Sequence, residues 1–128
     1  MDTFFFVVGR VIFGGYFIMG GLNHFTQFGM MSGYAKAKGV PAPSGSVALT
    51  GAMLLLGGLS MLLGVYSVLG VILLVVFLIP VSFVMHAFWK VQDSQMRMGE
   101  MINFTKNMAL LGALLMFLAV PRPWPLSL

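Results

Sequence analysis

The chain alternates long apolar blocks with shorter polar connections. Its apolar blocks predict four helices at about residues 3–22, 45–65, 67–89 and 104–120. A helix of about 20 residues rises about 1.5 Å per residue, so it crosses the roughly 30 Å of hydrocarbon in a bilayer. The pattern therefore predicts an all-α protein: an integral membrane four-helix bundle that forms a single domain over residues 1–128.

The first connection, residues 25–43, has a pattern of its own. Apolar and aromatic side chains recur every three residues there, at Phe25, Phe28, Met31 and Tyr34. This spacing predicts a short helix that lies in the membrane interface. We expect Ser44 or Ser46 to cap the next helix, because serine oxygens accept hydrogen bonds from free N–H groups at helix starts.

The other connections are a very short turn before residue 67 and a polar stretch at 90–102. The third helix is predicted to continue to about Trp89, with a kink at Pro80. We expect residues 90–102 to form a loop and Asn103 to cap the fourth helix.

Composition agrees with a membrane protein. Hydrophobic residues make up 59% of the 128 residues and charged residues 8%, whereas an ordinary globular domain has about 25% charged residues. So short a chain cannot bury that many apolar side chains in water. Cysteine is absent, which excludes disulfides, thiolate metal sites and iron–sulfur ligation within this polypeptide.

The charges indicate an orientation. The formal net charge is +4, but the basic residues are scattered singly, which argues against a nucleic-acid partner. Five basic residues lie on the side of the first and third loops, namely Lys36, Lys38, Lys90, Arg97 and Lys106. The opposite side has Arg122 and, less clearly, Arg10. The positive-inside rule therefore predicts cytoplasmic loops, with both termini outside.

Polar side chains are predicted to converge on the side of these two loops. The residues are His24, His86, Trp89, Asn103, Lys106 and Asn107. His86 and Trp89 are three apart, so on a helix they would project from one side. We expect a pocket at the depth of the lipid headgroups, with Lys106 as a positive charge, His86 as a donor and Trp89 as a flat wall. Such a pocket suits a quinone ring whose tail lies in lipid.

Each of these residues also has a simpler explanation. Interfacial anchoring and helix capping account for every one of them taken singly, because polar groups at helix ends cost little. Arg10 lies two turns inside the first helix, where an arginine is costly and suggests a function. Its long aliphatic stem also allows the guanidinium to reach the interface instead.

No metal site is predicted. His24 and His86 could ligate a haem between the first and third helices, but haem-bearing bundles usually bury their histidines deeper. The thioethers of Met96, Met98 and Met101 could bind Cu(I), but the chain has 12 methionines, so they cluster readily by chance.

Five segments together resemble the DoxX family of small four-helix bacterial membrane proteins. They are residues 9–15 (GRVIFGG), 20–25 (GGLNHF), 39–43 (GVPAP), 86–89 (HAFW) and 103–112 (NFTKNMALLG). Their order and spacing cover essentially the whole chain. The resemblance implies a multi-pass protein of the bacterial cytoplasmic (inner) membrane.

The resemblance also implies a redox association. Relatives that name the family resemble subunits of thiosulfate:quinone oxidoreductase, and others associate with oxidative-stress enzymes. Transferred to this chain, it points to five positions for testing: Arg10, His86, Trp89, Lys106 and Asn107. At position 24 the family pattern leads us to expect lysine; His24 keeps a donor but no permanent charge.

Two functions are left open. The first is a redox-associated subunit that binds quinone or another lipid-soluble carrier and depends on a membrane or redox protein partner, rather than an enzyme on its own. The second is a non-enzymatic accessory or assembly subunit that packs through glycine-lined faces, with homo-oligomers also open. A transporter is disfavoured because no acidic residue falls within a predicted helix and inverted repeats are not evident.

Overall fold

The computed structural model describes residues 2–128 and is all-helical over that range, as predicted. Its helices are α1 (Asp2–Thr26), α2 (Phe28–Ala37), α3 (Pro43–Leu63), α4 (Ser67–Val84) and α5 (Ser94–Phe117), with a 3₁₀ turn at Phe88–Lys90. The described residues thus form five α-helices, where α2 takes the place of the predicted interfacial helix. Met1 of the predicted domain lies outside the described residues.

Three segments are long and apolar enough to cross a membrane. They are Asp2–Thr26, Pro43–Leu63 and Ser67–Lys90. The helix α5 has comparable length, but its first half carries Arg97, Glu100 and several other polar residues, and Lys106 and Asn107 follow directly. This polar half distinguishes α5 from the other long helices.

The structure corrects two predicted helix starts. Pro43 is the first residue of α3, where its missing N–H costs nothing, and neither serine caps this helix. Ser46 Oγ instead donates to the carbonyl oxygen of Pro41 at 2.8 Å. At α5 the cap is Asp93, whose carboxylate accepts from Met96 N at 2.9 Å and lies at the positive end of the helix dipole. Asn103 therefore lies inside α5, not at its start, and most of the predicted loop is helical.

The third predicted helix also ends earlier than expected. The helix α4 ends at Val84, and His86 and Ala87 leave the helical path before the 3₁₀ turn. The predicted projection of His86 and Trp89 from one side of a helix is therefore wrong, because these residues do not share a helix. Their side chains meet different neighbours.

Glycines allow the central helices to approach closely. A Cβ added to Gly14 of α1 would lie 2.8 Å from the carbonyl oxygen of Gly58 in α3. One added to Gly57 of α3 would lie 2.7 Å from the side chain of Leu74 in α4. Such small residues let helix backbones meet, which is how helices associate in lipid. The helices α1, α3 and α4 therefore form a tightly packed layer.

Apolar residues fill the centre and also cover the outside. The buried core includes Phe17, Leu54, Met61, Leu74, Leu78 and Leu114. Large apolar side chains are exposed on every long helix, among them Phe4, Ile12, Leu49, Leu69 and Met116. An outer surface of this kind is stable in hydrocarbon rather than in water.

Candidate functional site

A buried carboxylate forms the centre of a polar cluster near the start of α5. The side chain of Glu100 is 11% exposed. Its oxygens accept hydrogen bonds from Lys38 Nζ at 2.8 Å, Tyr34 Oη at 2.9 Å, His86 Nδ1 at 3.1 Å and Asn103 Nδ2 at 3.4 Å. We call these five residues the Glu100 cluster. It joins α2, the segment after α4, and α5.

The hydrogen bonds keep Glu100 ionised. Burial by itself would raise the pKa of Glu100, but the hydrogen bonds from its partners, with Lys38 first, lower it to about 2. The hydrogen bond to Glu100 in turn raises the pKa of Lys38. Burial, followed by the hydrogen bond to Glu100, raises the pKa of Tyr34. The cluster thus contains a stable ion pair between Glu100 and Lys38.

Two cavities adjoin this cluster. The larger, of about 510 Å³, is mostly apolar and lies between α2, α3 and α4. The smaller, of about 250 Å³, is more polar and lies between α1, α4 and α5. Four residues line both cavities: His24, Phe77, Val81 and His86. The two histidines are therefore the polar part of the shared wall.

Each of these histidines is held through Nδ1. His24 Nδ1 lies 2.8 Å from the carbonyl oxygen of Gly20, and His86 Nδ1 lies 3.1 Å from Glu100 Oε1. Within residues 2–128 neither Nε2 has a hydrogen-bond partner, and neither atom is fully enclosed by protein. Both Nε2 atoms are consequently accessible to a ligand.

The smaller cavity brings together four of the six residues predicted to form the pocket. They are His24, His86, Lys106 and Asn107. The ammonium of Lys106 also lies 5.6 Å from the centre of the Tyr16 ring, a distance at which a cation is attracted to the ring face. Asn103 belongs to the Glu100 cluster behind His86.

Trp89 lies away from these residues. Its ring packs against Phe83, Phe88 and Phe104, with ring centres 6.0, 5.2 and 5.6 Å away. It is half exposed and does not line either cavity. The expected flat wall is formed instead by Phe77, which borders both cavities.

Arg10 lies at the opposite end of the bundle and is 3% exposed. Its Nη1 donates to the carbonyl oxygen of Pro125 at 2.7 Å and its Nη2 to that of Leu126 at 3.1 Å. The guanidinium carbon lies 5.7 Å from the Phe6 ring and 6.0 Å from the Trp124 ring. The guanidinium is thus buried under the C-terminal segment of the protein.

Glu100, Tyr34 and Lys38 are the site residues that sequence reasoning missed. The assignment of 90–102 to a loop hid Glu100, and the transporter argument that no acid lies within a helix fails for the same reason. A signal was present in the spacing: Glu100, Asn103 and Asn107 are three and four apart. In a helix this spacing places them on one face.

A comparison with known protein families gave one match, which agrees with the helical fold described above. The DoxX family model matches residues 5–87, which is more than half of the chain and includes most of α1, all of α2 to α4, and His86. The helix α5, with Glu100 and Lys106, follows the matched residues. No curated protein and no solved structure matches the chain. The match and the three apolar segments lead to one identification: the chain belongs to the DoxX family and is a membrane protein.

Proposed function

We propose that this DoxX protein is a redox-associated subunit of the bacterial cytoplasmic membrane that binds a quinone or another lipid-soluble carrier. The supporting observation is the wall shared by the two cavities, with His24 and His86 between a polar space and an apolar one. A polar ring fits among Lys106, Asn107 and the histidines. The isoprenoid tail of the carrier fits the larger cavity, whose lining is mostly apolar.

In the proposed topology the chain crosses the membrane four times. The fourth crossing is the segment predicted as the fourth helix, about residues 104–120, which includes the apolar second half of α5. The Glu100 cluster then lies at the cytoplasmic headgroup level, and both termini lie on the other side. The lysines and arginines of the first and third loops support this orientation.

A redox role needs a protein partner. The chain has no cysteine, and its ionisable side chains can bind and protonate a carrier but cannot store electrons. Electrons would therefore pass between the carrier and a second protein. We propose that the chain contributes the carrier site and is not an enzyme on its own.

The accessory-subunit alternative has less support from the packing. It depended on glycine-lined faces that would be free for a partner. Gly14, Gly21, Gly57 and Gly58 are instead used inside the bundle, where an added Cβ would meet another helix within 3 Å, which leaves Gly9 and Gly15 as the open glycines of α1. This favours the carrier hypothesis over a protein that only packs against others.

Titration of the purified protein in lipid nanodiscs with a short-tailed quinone tests the proposal. Lys106→Ala should weaken binding at least about fivefold, because it removes a charged donor worth about 1 kcal/mol or more. His86→Ala should also weaken binding, because it removes a side chain from the wall that both cavities share. Lys90→Ala is the matched control, since Lys90 is an exposed lysine outside both cavities. Equal quinone affinity in all four proteins would refute the proposed site.

A second experiment addresses the partner. The protein is captured from bacterial membranes in mild detergent, and copurifying proteins are identified by mass spectrometry. The proposal expects a redox protein in stoichiometric amount, with a carrier lipid in the extract. Recovery of the chain with neither would count against a subunit role.

A further inference from the structure

The hydrogen-bond partners fix which nitrogen of each cavity histidine carries a proton. The carbonyl oxygen of Gly20 can only accept, so His24 must donate to it through Nδ1–H. The ionised carboxylate of Glu100 likewise only accepts, so His86 donates through Nδ1–H. We assign the protons from these partners, because a neutral imidazole carries one N–H and one lone pair.

The remaining nitrogens then act as acceptors. In the neutral imidazole, Nε2 of His24 and Nε2 of His86 each have a lone pair with no partner among residues 2–128, and both residues line the two cavities. The charge of Glu100 is balanced by Lys38 at 2.8 Å. The sequence predicted His86 as a donor to a carrier, whereas a neutral His86 whose Nδ1–H bonds Glu100 can only accept from one.

The acceptor role of the two Nε2 atoms distinguishes the oxidised form of a carrier from its reduced form. The carbonyl oxygens of a quinone can accept from Lys106 but can give nothing to an Nε2 lone pair. A buried acceptor that is left without a donor weakens binding. The hydroxyl groups of a quinol satisfy both kinds of group, since each hydroxyl donates one hydrogen bond and accepts others.

We infer that the cavity site selects the reduced, dihydroxy form of the carrier, a quinol whose hydroxyls donate to Nε2 of His24 and His86. This inference rests on the proposed carrier function and specifies which form of the carrier binds. Tighter binding of the reduced form also raises the midpoint potential of the bound carrier. For a two-electron couple, each tenfold preference corresponds to about 30 mV.

Three probes with one ring and one decyl tail test the inference: a benzoquinone, its quinol and the dimethyl ether of the quinol. The ether keeps the ring, the tail and the two oxygens of the quinol, but a methyl group replaces each of its two donor hydrogens. Binding is measured by calorimetry in nanodiscs, without oxygen, at pH 8.5. We expect the quinol to bind at least about tenfold more tightly than the other two probes, which corresponds to about 1.4 kcal/mol.

The possible outcomes distinguish a failure of the quinol inference from a failure of the proposed carrier function. Equal affinities for quinol and ether, or tighter binding of the quinone, would overturn the inference and leave the carrier site standing. Absence of binding by all three probes would overturn the carrier function and the inference together. Because these comparisons use the unaltered protein, they do not depend on the folding of a variant.

Variants show which side chains produce the preference for the quinol. His24→Phe keeps a ring and removes the acceptor, so the quinol advantage should fall below about threefold while quinone affinity changes little. Lys106→Ala should weaken both forms and leave their ratio unchanged. Tyr66→Phe is the control at the opposite end of the bundle, where Tyr66 is 79% exposed. A tenfold quinol preference that persists in His24→Phe would refute the role of His24.

Discussion

Replacement of Glu100 by glutamine removes the negative charge that four donors share. Lys38 would lose its ion-pair partner, and His86 would lose the anion that its Nδ1–H contacts. The glutamine has nearly the same size, so the packing around it is retained. The resulting change in stability therefore reports the electrostatics of the cluster.

The magnitude follows from the pKa of Glu100, which falls from 4.5 to about 2 in the folded protein. One pKa unit corresponds to about 1.4 kcal/mol, which sets an upper limit of about 3 kcal/mol at pH 7. The Lys38 side chain is 24% exposed, so solvent screening reduces this value, and we expect a loss of about 2 kcal/mol. Asn103→Ala, which removes the longest of the four hydrogen bonds, should cost less than 1 kcal/mol.

The assay is unfolding in detergent micelles, followed by tryptophan fluorescence in a Trp124→Phe background, so that the signal comes from Trp89, which packs against Phe104 of α5. Because folding lowers the pKa of Glu100, its stabilisation is complete well above pH 4.5 and is lost as the pH falls toward about 2. The difference between wild type and Glu100→Gln should thus be largest at pH 7 and shrink steadily below pH 4.5. Equal stability at pH 7, or a difference that persists unchanged to pH 2.5, would refute this electrostatic account.

Three further predictions concern the rest of the fold. Arg10→Leu should release the C-terminal segment, measured as at least about tenfold faster digestion by carboxypeptidase, because two buried charged hydrogen bonds are lost; an unchanged rate would contradict this anchoring. Gly14→Ala should lower the unfolding free energy by about 1–3 kcal/mol through a clash with α3, whereas Gly15→Ala, with nothing within 4 Å of the added Cβ, should be neutral. Single cysteines at Lys36 and Tyr66 should react with an impermeant maleimide from opposite sides of the membrane, and labelling from the same side would overturn the proposed topology.

The apolar part of the fold was predictable from the sequence, because a helix needs about 20 mostly apolar residues to cross a bilayer. Each long apolar block became a helix, and the period of three between Phe28 and Tyr34 correctly predicted α2. The family resemblance was confirmed by the family match. These features depend on local composition and spacing, which a single sequence displays.

The polar part was harder to predict, because polarity alone does not separate a loop from an exposed helix. Asp93 could have been recognised as a cap, but the run that follows it has no apolar stripe to mark a helix. The meeting of His24, His86 and Lys106 required only that three helix ends share one side, so it could be anticipated. The convergence of Tyr34 and Lys38 on Glu100 depends on the tilt of α2 against α5, which the sequence does not encode locally.

The contact between Arg10 and the C-terminal segment also bears on biosynthesis. Arg10 enters the bilayer with the first helix, but the carbonyls that satisfy its guanidinium lie 115 and 116 positions further along the chain. Until Pro125 and Leu126 are synthesised, the guanidinium lacks these two acceptors. An unpaired arginine is costly in hydrocarbon, so we expect water or lipid headgroups to contact Arg10 during that interval.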